Sequence, residues 1–402
     1  MSELIHPTTD ELQDEDIYDL LTGTLRYSWE HDYVGYDYFD GMSSRLLRET
    51  PVDNKWLNIL VQEGIKRSPV NVRPLLLVEQ RRSFKGTALF VMANERLFRF
   101  SGDERYRDEA IRLAEWLTEN TSEGYVGFCG GHRHAMQMLR EKRPPNTPNV
   151  VPTSYATKAL LSVGEHDPKF GETAAEATDF LYDELEYREI GDAAKIKYQP
   201  LESGDYYTLN GGALGARLLI DLYGRFDDDE LRRRSTKLLD YVVERQTSLG
   251  GWYYREPPSA SHLSMDNHHN GFIIESMLRY HEVTGTERYA DELAAAMEFY
   301  RNRLFEADGA PNWDENSKFP KDIHAATQGI IVFSMAGEFE FARAIIDWVL
   351  ENLYAGDGQF YYQKRRFYTK RFTLMRWCQA WMAYALSTYL TERLARRTEV
   401  PT

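Results

Sequence analysis

The chain has 402 residues, of which 42% are hydrophobic and 28% are charged, and this composition excludes a disordered protein. The formal net charge of −15 argues against a nucleic-acid-binding protein, because phosphates require a basic surface. No apolar run approaches the roughly 18 residues of a membrane span. The acidic N-terminus lacks the basic and apolar regions of a signal peptide, so we expect none.

Two cysteines, Cys129 and Cys378, are the only ones in the chain, and they predict neither a disulfide scaffold nor a cysteine-built zinc site. This usage fits a reducing compartment, so we expect a cytoplasmic protein. Lys supplies only 13 of the 48 basic residues. Many acidic residues and few lysines favour a high-salt cytoplasm, where carboxylates keep the surface hydrated, over an ordinary acidic protein.

The chain is repetitive between residues 85 and 395. SGDERYRDEAIRLAEWL, which starts at Ser101, recurs as TGTERYADELAAAMEFY from Thr284. Further copies give a unit of about 60 residues, each marked by a glycine. The marking glycines are Gly102, Gly164, Gly224, Gly285 and Gly337.

Each copy predicts two helices. The helix before the glycine is apolar nearly all round, as in GFIIESMLRY, and therefore buried. The helix after it is amphipathic, and the glycine caps the first helix and makes a short turn. This alternation predicts an all-α toroid of about six hairpins, an (α/α)6 barrel with an inner and an outer ring. An open helical solenoid is the competing architecture.

We expect residues 1–402 to form one domain, because no segment has the composition of a linker. Residues 1–84, with helical runs near 17–30 and 53–66, are expected to supply the first hairpin and close the ring, and residues 85–395 the repeats. The short glycine turns then lie at one rim of the ring and the long connections at the other. Function usually resides in long, chemically varied loops. The long connections are 121–151, 188–207, 248–267, 306–321 and 354–372.

Two of these connections combine carboxylates with imidazoles. SMDNHHN supplies Asp266, His268 and His269, and KDIHAATQ supplies Asp322 and His324. A carboxylate beside an imidazole provides a proton donor and acceptor near neutral pH, as glycosidic cleavage, epimerisation or β-elimination requires. We predict these five residues as catalytic.

Aromatic and polar side chains of the same loops suit a sugar, whose C–H face packs on rings while short polar groups bond its hydroxyls. The basic run between Lys364 and Arg376 predicts an anionic group on that sugar, a uronic acid, a sugar phosphate or a lipid-phosphate-linked glycan. The predicted substrate-binding residues are His132, His134, Tyr206, Asn210, Trp252, Trp313, Gln328, Arg376 and Trp377.

Simpler interpretations stay open for several of these residues. Asp266 and Asp322 are also good helix N-caps, and one of His268 and His269 can be a structural neighbour of the other. The basic run can be a solvated hairpin tip. No HExxH-like spacing is present, so we expect no metal and no cofactor.

Four segments carry a family resemblance, namely GYDYFDGMSSRLLR, IKRSPVNVRPLL, FKGTALF and QFYYQKRRFYTKRFTLMRWCQAWMAYAL. Together, across nearly the whole chain, they resemble the AglQ-like family of haloarchaeal S-layer N-glycosylation proteins. That family is similar in fold to toroidal sugar enzymes such as unsaturated glucuronyl hydrolases and acylglucosamine 2-epimerases. The resemblance makes Asp37, Asp40, Asn71 and Arg73 candidate site residues.

The resemblance implies a role in building or trimming the glycan of S-layer glycoproteins while that glycan is on dolichol phosphate, at the inner face of the cell membrane. The leading hypothesis is therefore an enzyme that acts on a uronic-acid-containing oligosaccharide, with hydrolysis placed slightly ahead of epimerisation. Arg376 and Arg73 would hold the anionic group, and Trp252 and Trp313 would stack on the sugar. The alternative is a non-catalytic glycan-binding or scaffolding component of the same machinery.

Overall fold

The computed structural model describes residues 9–50, 53–139, 141–202 and 204–399. The described chain is mainly helical, and its strands are only two or three residues long. The α-helices are α1 (Thr9–Glu30), α2 (Arg45–Arg48), α3 (Lys55–Arg67), α4 (Phe84–Ser101), α5 (Glu104–Glu119), α6 (Val150–Val163), α7 (Pro168–Ala175), α8 (Ala177–Asp179), α9 (Leu209–Phe226), α10 (Asp229–Val243), α11 (Asn267–Thr284), α12 (Ala290–Arg303), α13 (Ile323–Met335), α14 (Phe339–Leu353) and α15 (Trp381–Glu399).

The strands lie in the loops between helices and form small antiparallel ribbons, with β9 as the third strand of one ribbon. The pairs are β1–β2, β3–β4, β5–β6, β7–β8 and β10–β11, and the three-stranded order is β13–β12–β9. The strands are β1 (Val34–Gly35), β2 (Arg81–Arg82), β3 (Met136–Gln137), β4 (Lys142–Arg143), β5 (Arg188–Ile190), β6 (Ala193–Lys195), β7 (Tyr207–Thr208), β8 (Arg255–Glu256), β9 (Lys321–Asp322), β10 (Tyr354–Gly356), β11 (Gln359–Phe360), β12 (Gln363–Lys364) and β13 (Thr369–Lys370).

Six helices form a closed inner ring. In order around the ring, α4 packs on α6, α6 on α9, α9 on α11, α11 on α13, α13 on α15, and α15 returns to α4. Their outer partners are α5, α7, α10, α12, α14 and α1, which give six hairpins. The predicted (α/α)6 toroid is confirmed, and the open solenoid is wrong because the last inner helix contacts the first.

The hairpin of α4 and α5 has the helix caps and the glycine turn that its sequence predicts. The Ser83 hydroxyl accepts a hydrogen bond from the Gly86 N–H and caps α4, which ends at Gly102 in the left-handed conformation. Asp103 then caps α5 through the Arg105 N–H. Nearly all of α4 is buried, as expected for a helix covered by the ring on one side and by α5 on the other.

Two of the marking glycines do not cap a helix in the predicted way. Gly285 ends α11 in the left-handed region, but Gly164 follows α6 with right-handed helical angles. Gly224 lies inside α9, whose left-handed cap is Asp227 with φ of 55°. Asp is one of the few side chains that tolerate this conformation, so the chain gains most of another helical turn before it reverses.

The N-terminal part closes the ring differently from a simple first hairpin. The predicted helical runs correspond to α1 and α3, but α1 packs on α15, so the sixth hairpin joins the two ends of the chain. Helix α3 instead packs on β3 and on the turn Gly41–Ser43, at the rim of the long loops. That residues 1–402 make one domain remains an expectation.

Candidate active site at the mouth of the ring

Neighbouring inner helices bring the predicted imidazoles together. Asp266 and Asp322 stand at the N-caps of α11 and α13, and the histidines occupy the first turns of these helices. The ring of His268 lies 3.9 Å from that of His269 and 4.6 Å from that of His324, measured between centroids. Three residues from two separate loops therefore share one cluster.

Asp322 is buried and holds three donors. Its Oδ1 accepts from the backbone N–H of His324 at 2.9 Å and from the indole N–H of Trp377 at 2.8 Å. Its Oδ2 accepts from the side-chain amide of Gln363 at 2.8 Å. Burial raises the pKa of Asp322 to about 6, although the Trp377 hydrogen bond opposes the increase. Asp322 thus caps α13, as the simpler interpretation expects, and also fixes Trp377.

Asp266 is bound to the histidines that follow it. Its Oδ2 accepts from Nδ1 of His269 at 2.8 Å, and Nδ1 of His268 lies 3.4 Å from the same oxygen. Burial by itself would raise the pKa of Asp266, but His269 and then His268 hold that pKa below its ordinary value. Oδ1 of Asp266 is buried without a hydrogen-bond partner among the described residues.

Among the described residues, these three side chains form a group that could hold a metal ion. Asp266, His268 and His269 each offer a ligand atom, and these atoms lie within 4.8 Å of one another. A carboxylate with two imidazoles is a ligand set that suits a divalent transition metal. A cation here would replace the hydrogen bond between Asp266 and His269. The expectation of no metal remains a prediction.

We call the rim at which the inner helices begin the mouth of the ring. Four histidine side chains there are neutral. Burial lowers the pKa of His268 to about 3 and that of His324 well below its ordinary value. On the facing loop between α5 and α6, burial lowers the pKa of His132 to about 3 and that of His134 to about 4. His134 also shares a hydrogen bond of 2.5 Å with Ser43. These lowered pKa values keep the four rings uncharged at neutral pH.

Two buried arginines are already paired. The guanidinium of Arg376 binds both oxygens of Asp37, with Nε at 3.0 and 2.8 Å. Nε of Arg73 lies 2.9 and 2.8 Å from the two oxygens of Asp40, and Asn71 supports this turn by accepting the Arg73 N–H. Arg376 and Arg73 are 1% and 2% exposed.

The predicted substrate contacts of Arg376, Arg73 and Asp40 are therefore corrected. Each guanidinium is buried against a carboxylate, so its charge is already compensated inside the protein and no unpaired charge is left for an anionic ligand. Burial raises the pKa of Asp40 to about 6 even beside Arg73. Asp37 stays below its ordinary pKa, because the nearby Arg376 outweighs the effect of burial. The Asp37–Arg376 pair fastens the loop after α1 to the segment that leads into α15, and the Asp40–Arg73 pair fastens it to the loop after α3.

Two other predicted contacts are also wrong. Trp252 is 1% exposed and its indole N–H donates to the Val242 carbonyl, so it is a core residue that cannot stack on a sugar. Gln328 lies more than a helical turn below His324 and donates to Glu275 inside the ring. Its amide belongs to the buried interior of the barrel.

The remaining predicted binding residues are spread around the mouth. Trp313 is half-buried in the loop before α13. Asn210, in the first turn of α9, has both side-chain polar atoms buried without a partner among the described residues. Tyr206 and the stacked Arg255 guanidinium, 3.9 Å from its ring centre, line a cavity of about 640 Å³ with His262. Trp377 stacks on Tyr38, with ring centroids 4.4 Å apart.

Three residues of this mouth were not predicted from the sequence, namely Tyr38, Gln363 and Lys85. Lys85 had a signal in the sequence, because it lies in the first turn of α4 and no other charged residue occurs in that helix before Glu95. Tyr38 and Gln363 had none, since each is defined by a partner far away in the chain.

The sequence matches no protein-family model and no curated protein. The structure resembles that of cellobiose 2-epimerase from Bacillus thermoamylovorans B4167, with a TM-score of 0.62 and 14% identity over 77% of this chain and 88% of that one. It also resembles a GH76 α-mannanase from Bacteroides thetaiotaomicron, with a TM-score of 0.57 and 13% identity over 79% and 87%. A D-mannose isomerase aligns with a TM-score of 0.59 and 8% identity over 78% and 87%.

These similarities establish the toroidal fold. The described helices include none with the length and apolar character needed to cross a membrane.

Proposed function

We propose that the protein is a sugar-processing enzyme and that its reaction is a proton transfer of the epimerase or isomerase type. The observation that carries this proposal is the contact between His268 and His324, two neutral buried imidazoles whose centroids are 4.6 Å apart at the mouth of the ring. Three solved structures with this fold are named as a sugar epimerase, a sugar isomerase and a mannanase, which supports a carbohydrate substrate.

The roles follow from the hydrogen bonds. One imidazole removes the proton from the carbon beside the carbonyl group of an open-chain sugar and becomes an imidazolium. The resulting enediolate is then protonated on carbon by this imidazolium or, from the other face, by a second histidine that has taken up a proton from water. Nδ1 of His324 is buried and has no hydrogen-bond partner among the described residues, so a substrate would reach it only after the side chains that cover it move. Asp266 orients His269 and lies beside His268, while Asp322 and Trp377 hold the start of α13.

Glycoside hydrolysis is the second candidate, and a specific observation supports it. The mouth contains two carboxyls whose pKa values are displaced in opposite directions, upward for Asp322 and downward for Asp266. Such a separation is typical of an acid and base pair. Both oxygens of Asp322 already accept hydrogen bonds, which restricts proton donation to a glycosidic oxygen. For this reason we propose histidine-based proton transfer ahead of hydrolysis, which reverses the order expected from the sequence.

The biological context rests on the family resemblance. We propose that the substrate is a uronic-acid-containing glycan of the S-layer N-glycosylation route, linked to dolichol phosphate during assembly. The excess of acidic residues with few lysines is consistent with a high-salt cytoplasm. The alternative within this context is a component that binds the glycan without changing it.

Deuterium exchange tests the reaction. The full-length protein is incubated in D₂O and high salt with glucose, mannose or glucuronate, and C2 deuteration is followed by NMR. An epimerase or isomerase introduces deuterium at C2, and we expect His268→Gln and His324→Gln to reduce the rate by about 10²- to 10⁴-fold, the usual contribution of general acid–base catalysis. His31→Gln, which changes an exposed histidine at the end of α1, serves as the matched control.

The two alternatives have distinct outcomes. New reducing ends from an oligosaccharide without C2 deuteration would identify a hydrolase, and binding without either change would identify a non-catalytic component. The glycan context is tested separately by mass spectrometry of S-layer glycoprotein from a deletion strain complemented with each variant. Normal glycans in strains that carry His268→Gln and His324→Gln would contradict the proposal.

A further inference from the structure

Lys85 is a buried basic residue at the mouth that has no counter-ion among the described residues. Lys85 is the second residue of α4 and is 6% exposed. Its ammonium nitrogen lies 5.3 Å from the ring centre of Trp381, and it forms no hydrogen bond or ion pair with any described residue. Arg73 and Arg376, the neighbouring buried cations, are each bound to a carboxylate.

Lys85 acts electrostatically on histidines from separate elements of the mouth. The Lys85 charge lowers the pKa of His132 on the loop after α5 and the pKa values of His268 and His324 on α11 and α13. The nearest charges that act on Lys85 itself belong to Arg376 and Asp37. Asp37 already binds Arg376, so the positive charges next to Lys85 exceed the available negative ones.

A buried amine in this position is costly unless something compensates it. Burial lowers the pKa of Lys85 well below its ordinary value, since the ammonium form is poorly solvated there. Replacing such an unpaired lysine with an apolar side chain would be neutral or favourable for the fold alone. A ligand with a negative charge would supply the missing counter-ion and favour the ammonium form of Lys85.

We propose that Lys85 is the subsite that binds the anionic group of the substrate, and that this group is the carboxylate of a uronic acid. The inference rests on the proposed function and transfers the predicted anion contact from Arg376 and Arg73 to Lys85. One uncompensated positive charge matches a carboxylate, whereas a phosphate monoester carries a charge of about −1.5 to −2. The half-buried ring of His268, whose pKa the Lys85 charge lowers, offers a hydrogen-bonding group to the sugar beside this subsite.

Calorimetric titration of the full-length protein with glucuronate, glucose and glucose 6-phosphate tests this assignment. In the wild-type protein we expect glucuronate to bind about 10- to 100-fold more tightly than glucose, the effect of one hydrogen bond to a charged group. Lys85→Met should reduce this ratio to near one, and Lys85→Arg should retain part of it. Tighter binding of glucose 6-phosphate than of glucuronate would overturn the carboxylate assignment.

The control is Lys66→Met, which removes a second lysine at the same mouth whose ammonium group lies 4.7 Å from the Tyr38 ring centre and 3.7 Å from Glu63. We expect it to keep the glucuronate-to-glucose ratio, and an equal loss in both variants would contradict a specific role for Lys85. Thermal unfolding of Lys85→Met should be unchanged or shifted upward, which separates lost binding from lost folding.

The two proposals fail separately. C2 deuteration of glucose with no preference for glucuronate would refute the Lys85 subsite and leave the proposed reaction intact. A glucuronate preference that depends on Lys85, without any exchange or cleavage, would refute the reaction and leave the subsite intact.

Discussion

The indole N–H of Trp377 donates to Oδ1 of Asp322 across 2.8 Å, and this hydrogen bond joins the start of α13 to the segment that leads into α15. The two residues are 55 positions apart, on helices that pack side by side in the inner ring. Since the same oxygen caps α13, the position of Trp377 is tied directly to that of His324.

Trp377→Phe removes the donor and keeps the stack on Tyr38. The Trp377 hydrogen bond lowers the pKa of Asp322, so its loss should move that pKa upward from about 6. A hydrogen bond to a charged group contributes about 1.5–3 kcal/mol, which corresponds to an increase of about one to two pH units. The pKa can be measured by infrared titration of the Asp322 carboxyl, assigned by its disappearance in Asp322→Asn.

Trp381→Phe is the matched control for this experiment. Trp381 lies one turn further along and its indole nitrogen has no hydrogen-bond partner among the described residues. Its replacement should leave the Asp322 titration unchanged. Equal shifts in the two variants would mean that burial alone, and not the Trp377 hydrogen bond, sets the pKa.

Asp322 should also make stability depend on pH. Its pKa rises from 3.8 to about 6 on folding, so the folded protein holds the proton between these values while the unfolded chain releases it. Stability from this group is fully present below pH 3.8 and is lost as the pH rises through about 6. Two pH units correspond to about 3 kcal/mol, so Asp322→Asn should gain stability relative to wild type across this window.

Urea unfolding at constant salt and at pH 4, 5, 6 and 7 measures this difference. Because Asn loses part of the hydrogen bonding to His324, Trp377 and Gln363, its absolute stability is less informative than the trend with pH. A difference between Asp322→Asn and wild type that stays constant from pH 4 to 7 would contradict the raised pKa.

Arg376→Met should destabilise the protein by about 3–5 kcal/mol, because it leaves the buried Asp37 carboxylate without its partner. The double variant Asp37→Asn/Arg376→Met removes both charges and should recover a large part of this loss. Arg366→Met, which replaces an exposed arginine of the same basic run, should change stability by less than about 0.5 kcal/mol. Chemical denaturation measures all three, and a mild Arg376→Met would mean that the ion pair is dispensable.

Substitution of Gly358 tests the contact between the loop after α14 and helix α1. Gly358 has φ of +74°, and a Cβ placed on it would lie 2.3 Å from the carbonyl carbon of Gly23 in α1. Gly356 in the same hairpin has φ of +93° but nothing within 4 Å. Gly356→Ala should cost only the backbone strain of about 1–2 kcal/mol. Gly358→Ala should cost clearly more, because α1 must move, and equal unfolding midpoints would contradict this contact.

Much of the architecture is readable from local pattern. The repeat marked by glycines and the alternation of buried and amphipathic helices predict the six-hairpin ring. Both can be recognised locally, because the hydrophobic pattern of a single helix shows which of its faces are buried. The same reasoning gathers His132, His268 and His324 at one rim, since inner helices that start at a common rim bring their first turns together. The sequence also shows Lys85 as a charged residue within a buried helix, although its role depends on the residues that surround it.

The sequence pattern does not predict which side chains pair with one another, because these partners lie far apart in the chain. Arg376 pairs with Asp37, 339 positions away in the chain, so the arginine expected to bind a ligand forms an internal ion pair. Lys85, by contrast, has no ion-pair partner among the described residues. Trp252 and Trp377 are both tryptophans close to the start of an inner helix. The indole N–H of Trp252 donates to the Val242 carbonyl in the core, whereas that of Trp377 donates to Asp322 at the mouth. Periodicity reports how deeply a position is buried, whereas the free or satisfied state of a polar group depends on which distant atoms the closed ring brings within hydrogen-bonding distance.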